Sequence, residues 1–440
     1  MESSLKIAVI GSGISGLVCA RLLAARHDLT LFESDQRLGG HANTVTVRDG
    51  ETQHQIDTGF IVYNDRTYPQ FSRILADLGV DTMPTSMSFS VRCDRTGLEY
   101  NGTSLNGLFA QRQNLLRPKF LKLLSEILRF NRRGADDWDR VPAGQTVAEY
   151  LRQGNYSQQF CDHYLLPMGA AIWSCPRAEF ASFPIRFILE FYLNHGLLSV
   201  TDRPVWRSIV GGSQSYVQRL ATPFRDRIRT ACPVHAVSRL DQQVLVRHAQ
   251  GVDQFDEVVF ACHSDQALRI LEDTDALEQE LLGAFPYSLN SAVLHTDESV
   301  LPRRRRAWAS WNYCLADQPE IRPAVTYNMN LLQGIRSANT YCVTLNQDDR
   351  IDPARVLAKF QYAHPVFTTR RAAIQSRHDE VIRRRRTSFC GAYWRNGFHE
   401  DGVVSALAVC RKFGVRQWNA GPGDDDSVTA VARQFVSEAC

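Results

Sequence analysis

The sequence is poor in lysine and lacks the cysteine groupings that bind metals or form a disulfide framework. Only five of its 50 basic residues are lysine, and its 11 cysteines are scattered, without a C-x-x-C pair or a cluster with histidine. This distribution argues against zinc, iron–sulfur and disulfide-scaffold proteins and indicates reduced thiols, as in a cytoplasm. We therefore expect no metal site.

Long apolar runs are also missing, and none is long enough to cross a bilayer. Met1 leads directly into an apolar strand without a signal peptide, and the tail after Trp418 is polar and acidic at residues 424–426. The net charge of +3 is too small to indicate nucleic-acid binding, and 440 residues with 44% hydrophobic content suit a two-domain globular enzyme. We expect a cytoplasmic protein with at most peripheral membrane contact.

What the sequence does contain is a nucleotide-binding pattern at its start. An apolar strand at residues 7–10 is followed by a G-x-G-x-x-G turn and an amphipathic helix. Gly11 permits the tight turn, Gly13 lets the backbone approach a pyrophosphate, and Gly16 allows the helix to pack closely. The free N–H groups at the helix start face the phosphates. The candidate ligands here are Gly11, Gly13, Ile14, Ser15 and Gly16.

A second group of candidate cofactor contacts follows the next strand. Glu33 ends that strand, where a carboxylate accepts the ribose hydroxyls, and an acid at this position argues against a 2′-phosphate. Arg37 can supply charge to the diphosphate, and the pair Gly39–Gly40 lets the backbone pass close to a large ligand. The candidates in this stretch are Glu33, Ser34, Arg37, Gly39, Gly40, Asn43, Thr44 and Gly59.

In this order the motifs resemble the FAD-dependent amine oxidase and phytoene desaturase superfamily, whose fingerprint is followed by R-x-G-G and D-x-G segments. Val210–Tyr216 is similar to its central glycine pair, and Val234 matches a residue whose backbone meets the adenine in relatives. The resemblance implies an α/β fold with a Rossmann-type FAD-binding domain and a mixed α+β substrate domain. It also implies non-covalent FAD, because no cysteine matches the usual attachment position; Cys390 is the one cysteine beside the motif.

The segment from Ser388 to Val403 resembles the superfamily's C-terminal flavin motif, a glycine turn that leads into a helix directed at the isoalloxazine ring. Asp401 can cap this helix, which we predict to continue through Lys412. The free N–H groups after Gly402 would stabilise negative charge on the flavin. The candidate cofactor residues are Gly391, Asp401, Gly402 and Val403.

The nucleotide-type stretches are separated by other material, which predicts two discontinuous domains. The FAD-binding domain comprises residues 1–75, 205–270 and 385–425, and the substrate domain comprises residues 76–204 and 271–384. Hydrophobic spacing predicts that residues 105–200 are mainly helical, with one helix from Phe187 to Leu198, and that residues 287–350 form strands.

Two kinds of basic segment leave alternatives open. The predicted amphipathic helix near residues 115–133 could dock on an anionic membrane, or it could be a substrate-domain helix with a solvated basic face; we favour the second. The arginine runs Arg303–Arg306 and Arg383–Arg386 are predicted to be solvated loops, although the second could hold an anionic headgroup.

The sequence has no Ser/His/Asp pattern, so the cofactor must carry the reaction. Segments rich in aromatic and amide side chains are predicted to wall an apolar pocket; they are Trp308–Tyr313, Tyr327–Asn330, Tyr362–Phe367 and Tyr393–Trp394. From these we take Trp311 and Trp394 as wall residues. His364 and His399 are candidate proton acceptors.

The same segments resemble a narrower bacterial group related to flavoproteins that desaturate methyl-branched fatty acyl chains in furan fatty acid formation. This implies an oxidoreductase that removes hydride from a C–H bond of a largely apolar substrate, an acyl lipid. Superfamily amine oxidases often place a lysine beside flavin N5; this chain has none near Arg303–Trp311, and only Lys359 lies between there and the motif. A flavin amine oxidase, a non-redox isomerase resembling galactopyranose mutases and a non-catalytic flavin sensor remain alternatives.

Overall fold

The computed structural model of the chain describes residues 4–142, 144–173, 175–199, 203–315, 324–366, 368, 370–415 and 418. Its strands are β1 (Lys6–Ile10), β2 (Asp28–Phe32), β3 (Thr44–Asp49), β4 (Thr52–Asp57), β5 (Val62–Asn64), β6 (Thr82–Pro84), β7 (Phe89–Cys93), β8 (Leu98–Asn101), β9 (Trp206–Ile209), β10 (Ile228–Arg229), β11 (Val234–Arg239), β12 (Val244–His248), β13 (Gly251–Phe255), β14 (Glu257–Phe260), β15 (Tyr287–His295), β16 (Trp311–Leu315), β17 (Val325–Asn328), β18 (Cys342–Leu345), β19 (Val356–Pro365) and β20 (Thr387–Phe389).

The helices are α1 (Ile14–Leu23), α2 (Pro69–Asp77), α3 (Leu105–Leu108), α4 (Pro118–Asp137), α5 (Val147–Gln153), α6 (Gln158–Phe160), α7 (Leu166–Trp173), α8 (Arg177–Ala181), α9 (Ile185–Asn194), α10 (Gln214–Ala221), α11 (Ser264–Ile270), α12 (Ala276–Leu282), α13 (Met329–Leu332), α14 (Arg371–Gln375) and α15 (His399–Lys412). Within the described ranges no helix combines the length and the apolar content that crossing a bilayer requires.

A five-stranded parallel sheet, in the order β10-β2-β1-β14-β20, lies at the centre of the nucleotide half. Its central strand is buried on both faces, which explains the continuous apolar run in the sequence. Ile7 and Val9 pack against α1 and α15 on one face. Ala8 and Ile10 pack against the antiparallel layer β11-β12-β13 on the other. The α/β architecture predicted from the sequence is confirmed, and the parallel strands come from the three stretches assigned to the nucleotide domain.

A seven-stranded mixed sheet, in the order β19-β15-β18-β17-β16-β7-β8, forms the centre of the other half. Its strands come from both insertions, and helices α4 to α9 supply most of the core beside β7, β8 and β16. The mainly helical character predicted for residues 105–200 is confirmed. The predicted Phe187–Leu198 helix is α9, which begins earlier at Ile185 and ends earlier at Asn194.

The boundary between the halves is less simple than the predicted ranges. A small sheet pairs β9 with β5 and β6, so it joins strands on both sides of the expected divisions at residues 75 and 204. The hairpin β3–β4 belongs to the nucleotide stretch by sequence, yet Ile56 packs in a core with β15 and β18. The domain assignment therefore stays a prediction at these positions.

Candidate functional site

The glycine turn lies at the carboxyl end of β1, where a parallel sheet binds ligands. Gly11 has φ +105°, and its N–H donates to the Phe32 carbonyl at 2.8 Å. A Cβ on Gly16 would lie 1.9 Å from the Gly11 oxygen, whereas a Cβ on Gly13 would meet nothing within 4 Å. The three glycines thus differ as predicted: one makes the turn, one leaves backbone uncovered, and one permits close packing.

The second glycine pair lies directly on the first turn. Gly39 has φ +113° and donates its N–H to the Ser12 carbonyl at 3.1 Å. A Cβ on Gly40 would come within 3.2 Å of the Gly13 Cα, and one on Gly59 within 2.1 Å of the His41 oxygen. The glycine segments separated in sequence therefore meet through their backbones around Gly13.

Glu33 sits beside this turn with only 9% of its surface exposed. Its carboxylate accepts hydrogen bonds from the Ser12 N–H at 2.9 Å, the Ser12 hydroxyl at 2.5 Å and the Asp35 N–H at 2.8 Å; the Ser34 hydroxyl also donates, at 3.2 Å. The predicted ribose acid thus also ties the end of β2 to the glycine turn. Arg37 contacts the Asp35 carboxylate at 3.4 Å.

Asn43 and Thr44 make their side-chain contacts within the protein. Asn43 Nδ2 donates to the Tyr362 hydroxyl at 2.9 Å, and Thr44 Oγ1 donates to Asp57 Oδ1 at 2.6 Å. Asp57 also accepts from the Ser213 N–H at 2.8 Å, and burial raises the pKa of Asp57 to about 6. These two candidates therefore position three separate chain segments, and direct cofactor contact by them stays a prediction.

Val234 begins β11 at a bulge in its pairing with β12 and is half-buried against the core of that layer. The preceding loop reaches the ribose acid, since the Cys232 N–H donates to the Glu33 carbonyl at 2.8 Å. The structure thus brings the residue predicted to meet the adenine next to Glu33.

The C-terminal motif differs from the prediction in where its helix starts. α15 begins at His399, and Asp401 is its third residue; the Asp401 carboxylate accepts the Phe398 N–H at 2.8 Å. The predicted helix start after Gly402 was therefore wrong, and the unpaired first-turn N–H groups belong to His399, Glu400 and Asp401. The predicted end at Lys412 is confirmed.

Gly402 instead brings the two helices together. A Cβ there would lie 2.7 Å from Ile14 Cγ2 and 2.9 Å from the Ser15 hydroxyl, so the first turns of α1 and α15 are in contact. Gly391 donates its N–H to the Ser405 hydroxyl at 2.8 Å, which fixes the loop after β20 on α15. Val403 is fully buried in the core between the helices, so its side chain serves packing rather than a ligand.

These residues fit the FAD expected from the resemblance. Gly13 leaves its backbone uncovered, and His41 Nε2 is buried with no hydrogen-bond partner among the described residues. The start of α1 carries no acidic residue and offers free N–H groups to phosphate. The residues that would hold the dinucleotide are Gly11, Gly13, Ile14, Ser15, Gly16, Glu33, Arg37, Gly39, Gly40, Gly59, Val234, Gly391 and the first turn of α15.

His364 lies in a cluster with His41 and His263, beside the glycine segments. The ring centroids of His41 lie 5.3 Å from those of His364 and 5.9 Å from those of His263. Burial lowers the pKa of His364 to about 3 and the pKa of both His41 and His263 to about 4, so all three are neutral at pH 7. His41 was missed, although its place directly after the glycine pair was the available signal.

The hydrogen bonds around His364 hold its ring on Asn290, and its role as a proton acceptor stays a prediction. Asn290 Nδ2 donates to His364 Nδ1 at 3.1 Å, while Asn290 Oδ1 accepts from Asn346 Nδ2 at 2.8 Å. This orientation leaves the His364 proton on Nε2, which makes that nitrogen a donor. In this tautomer the ring presents an N–H group, and its catalytic role stays untested.

His399 is held inside the nucleotide core. Its Nε2 lies 2.8 Å from the Tyr216 hydroxyl, and its ring stacks on Phe60 with centroids 3.5 Å apart. Burial lowers the pKa of His399 well below its ordinary value. These contacts favour a positioning role at the start of α15, and its predicted catalytic role stays untested.

The two predicted wall tryptophans are not brought together. Trp394 is 2% exposed and packs on His378 and Phe285 in the core beneath the parallel sheet, so its assignment to a pocket wall is not supported by its packing. Trp311 is half-buried in β16, edge-on to Tyr327 at 5.0 Å. An aromatic pattern alone could not separate these cases. Phe367 of the same prediction lies outside the described residues.

An aromatic cluster that the sequence did not single out covers the start of α15. Phe398 stacks on Phe191 at 5.2 Å, Phe191 stacks on His195 at 3.8 Å, and His195 faces Trp206 at 6.2 Å. Burial lowers the pKa of His195 to about 4. Phe398 thus joins the nucleotide core to the helical core of the other half.

The lysines and the run Arg383–Arg386 place no buried charge at this site. All five lysines (Lys6, Lys119, Lys122, Lys359 and Lys412) are exposed. Arg383 pairs with Glu257 at 2.9 Å and Arg385 with Asp273 at 2.7 Å, so this run forms ion pairs instead of a solvated loop or a headgroup site. Within the described part of the chain, no three or more His, Cys, Asp or Glu side chains are arranged so that they could hold a metal ion.

Comparisons with known proteins agree with this geometry. The family model described as flavin containing amine oxidoreductase matches residues 14–311. Amine oxidase [flavin-containing] A of Canis lupus familiaris is 24% identical over 252 residues, which cover 54% of this chain and 46% of that protein. The match therefore spans about half the length of this curated relative.

Two solved structures illustrate the fold that the chain shares. Cyclohexylamine oxidase from Brevibacterium oxydans IH-35A gives a TM-score of 0.65 at 15% identity, covering 93% of this chain and 100% of that one. The CLA-producing fatty acid isomerase from P. acnes gives a TM-score of 0.65 at 15% identity, covering 94% and 100%. At these identities the likeness concerns the fold. The family match, together with the glycine turns and Glu33, shows that the chain belongs to the flavin containing amine oxidoreductases, a family of FAD-dependent oxidoreductases.

Proposed function

We propose that the protein is an FAD-dependent oxidoreductase that removes hydride from a C–H bond of a largely apolar substrate, a fatty acyl lipid. The observation that carries the proposal is the absence of any buried lysine: all five lysines of the sequence lie in the described ranges, and all are exposed. A lysine-held water beside the flavin, as in the amine oxidases it resembles, therefore has no residue to hold it.

The residues around the carboxyl edge of the parallel sheet support an uncharged substrate. His41, His263 and His364 are neutral at pH 7 because burial lowers the pKa of each to about 4 or below. Phe398 and Phe191 stack on each other at the start of α15 and give that helix end apolar neighbours. An apolar lining with few polar groups is typical of sites that orient a ligand by shape.

Bound FAD supplies a hydride acceptor at N5, with negative charge arising near N1 and the C2 carbonyl. The first-turn N–H groups of α15, from His399 to Asp401, would offer that charge the positive end of a helix dipole. With no titrating amine in the substrate, the aromatic side chains must align the C–H bond, and alignment of this kind carries much of the barrier lowering.

A flavin amine oxidase is the second candidate, and the family match with its amine oxidase relative favours it. The match covers less than half of the relative's length, so it does not imply that this chain has the relative's activity. The CLA-producing fatty acid isomerase shares this fold, so the fold accommodates a fatty acid in that protein.

Anaerobic reduction of the purified holoprotein distinguishes the two candidates. Fatty acyl lipids, including phospholipids with methyl-branched chains, are expected to bleach the flavin absorbance, whereas primary and secondary amines are not. Rapid bleaching of the flavin by amines, with none by lipids, would show that the protein is an amine oxidase and contradict the proposal. A flavin that no substrate reduces would favour the sensor alternative.

Two exposed or half-exposed positions sharpen that result. Trp311→Ala is expected to slow reduction by the lipid, because Trp311 belongs to the predicted pocket wall and its ring, edge-on to Tyr327, is only half-buried. FAD is expected to stay bound, since Trp311 lies in β16 of the other half and not at the glycine turns. Lys359→Met is the matched control and is expected to have no effect, since Lys359 is exposed. Collapse of activity in Lys359→Met with indifference to Trp311→Ala would contradict the proposal.

A further inference from the structure

The helix α4 and the turn before it carry a row of exposed leucines. The 3₁₀ turn Arg112–Leu116 precedes α4 directly. Four leucines here have exposed side chains, which we call the leucine row: Leu115 is 49% exposed, Leu116 87%, Leu121 45% and Leu128 57%. Leu121 and Leu128 are seven residues apart, so they lie on the same face of the helix, two turns from each other. Single exposed leucines are normal, but four of them on a turn and the helix that follows it mark an interaction surface.

The opposite face of α4 is fixed in the core. Phe120, Leu123 and Phe130 are at most 2% exposed and pack in the helical core of the substrate half. Leu121 and Leu128 are therefore presented by an anchored helix, and the turn that carries Leu115 and Leu116 is held by the fully buried Asn114. The exposure of the leucine row does not come from a frayed or loosely packed segment.

The charge around the leucine row has one sign. Seven basic residues lie between positions 112 and 133, namely Arg112, Arg117, Lys119, Lys122, Arg129, Arg132 and Arg133. The only acid in the same span, Glu126, is 5% exposed and accepts hydrogen bonds from the Ser157 N–H and hydroxyl. Two members of the set pair with acids: Arg133 with Asp137 at 2.9 Å and Arg129 with Glu126 at 3.8 Å. The solvent-facing side of this span thus presents leucines among positive charges.

We propose that this surface docks the protein on an anionic phospholipid bilayer. An apolar row inserts into the headgroup boundary, while flanking lysines and arginines bind lipid phosphates; this combination is the pattern of an interfacial helix. A second copy of the chain is a poor occupant, because two such faces would bring like charges together. The structure thus supports the membrane alternative over the solvated-face interpretation favoured from the sequence. The proposal is independent of the substrate.

Co-sedimentation of the full-length holoprotein with vesicles tests the surface. Binding is expected to vesicles of phosphatidylcholine mixed with phosphatidylglycerol, about tenfold weaker or more to phosphatidylcholine alone, and weakened again at high salt. Equal binding to both vesicles, or binding to neither, overturns the proposal.

Variants separate the apolar and charged contributions. Leu115→Gln with Leu116→Gln is expected to reduce binding about tenfold or more, while the matched pair Leu240→Gln and Leu357→Gln, exposed by 47% and 44% elsewhere on the molecule, leaves it unchanged.

The charge variant combines Lys119→Gln, Lys122→Gln and Arg132→Gln, with Arg48→Gln, Arg336→Gln and Lys359→Gln as its control. The first set is expected to remove the preference for anionic vesicles, and the second to retain it. If both sets act alike, net charge alone explains binding and the surface is not the site. If the wild type sediments as a dimer that the Leu115/Leu116 variant loses, a second copy covers the leucines and the proposal is wrong.

Discussion

The first turns of α1 and α15 touch each other, yet they are built from opposite chemistry. The first turn of α1 contains no acidic residue, and its glycines keep the backbone uncovered. The first turn of α15 contains Glu400 and Asp401, both buried. Both helices direct their N-termini toward the same edge of the parallel sheet, so the difference concerns what each terminus binds.

The acids of α15 are already engaged within the protein. Glu400 accepts the Gln70 N–H at 3.0 Å and the Phe71 N–H at 2.9 Å, so it caps α2. Asp401 binds the Phe398 N–H and lies 3.4 Å from Arg395. The comparison shows that the first turn of α1 is free of acids, as binding of an external anion requires, whereas α15 uses its acids to hold neighbouring segments. Only the backbone N–H groups of α15 would then be available to a cofactor.

The largest expected effect separates packing at the two helix starts. In Gly16→Ala the new Cβ would lie 1.9 Å from the backbone oxygen of Gly11. We expect the free energy of unfolding to fall by about 3 kcal/mol and FAD binding to be lost. In Gly402→Ala the nearest atoms are the side-chain ends of Ile14 and Ser15, which can move, so we expect about 1 kcal/mol. Urea unfolding of both proteins measures this, and equal losses would break the comparison.

The next effect concerns the acid that serves α1. Glu33→Ala removes hydrogen bonds worth about 1.5–3 kcal/mol each, so FAD affinity is expected to fall by one to several orders of magnitude. Because Glu33 also binds Ser12, the free energy of unfolding of the apoprotein should fall too. Arg37→Ala, at a partly exposed side chain, is the milder control. FAD titration followed by fluorescence measures both, and unchanged affinity in Glu33→Ala would refute the fingerprint interpretation.

Gly13→Ala isolates the phosphate role of the α1 start. Gly13 has φ −63° and ψ 176°, which alanine adopts readily, and its Cβ would meet no atom within 4 Å. We therefore expect the free energy of unfolding of the apoprotein to change by no more than about 0.5 kcal/mol. The affinity for FAD should nevertheless fall about tenfold or more, since the methyl group occupies the approach to the pyrophosphate. Retention of full affinity would show that phosphate does not approach Gly13.

A further effect is a pH dependence specific to the α15 start. Burial raises the pKa of Glu400 from 4.5 to about 7, so the folded protein holds this proton more tightly than the unfolded chain. Its contribution to stability is present below about pH 4.5 and is lost as pH rises through about 7, by at most about 1.4 kcal/mol per pH unit. Glu400→Gln should remove this slope.

The measurement is the difference in unfolding free energy between wild type and Glu400→Gln at several pH values. Buried histidines such as His364 act in the opposite sense, because burial lowers the pKa of His364 to about 3 and stability is lost as pH falls below 6.5. They are present in both proteins and cancel in the difference. A difference that does not change between pH 5 and pH 8 would show that Glu400 is not perturbed.

The backbone requirements of the site could be predicted from the sequence, because they are local. Gly11, Gly13 and Gly16 each need the absence of a side chain for a reason visible in their spacing. The start of α15 could not be predicted in this way, since Asp401 can serve either as the cap or as the third helical residue. The choice is set by Phe398, which packs on Phe191 from a distant helix. Trp394 shows the same limit, since aromatic residues suit a core and a pocket equally well.

The order of strands in the parallel sheet has a consequence for biosynthesis. Its edge strand β20 and its covering helix α15 lie at residues 387–412, so they leave the ribosome after β1 and α1. Until the late segment emerges, the face of α1 that α15 covers, including Leu17 and Cys19, has no partner in the nascent chain. Contacts of such long sequence separation form slowly, so the emerging chain exposes an apolar surface that chaperones recognise. Cofactor capture is therefore expected only after residues 387–412 have emerged.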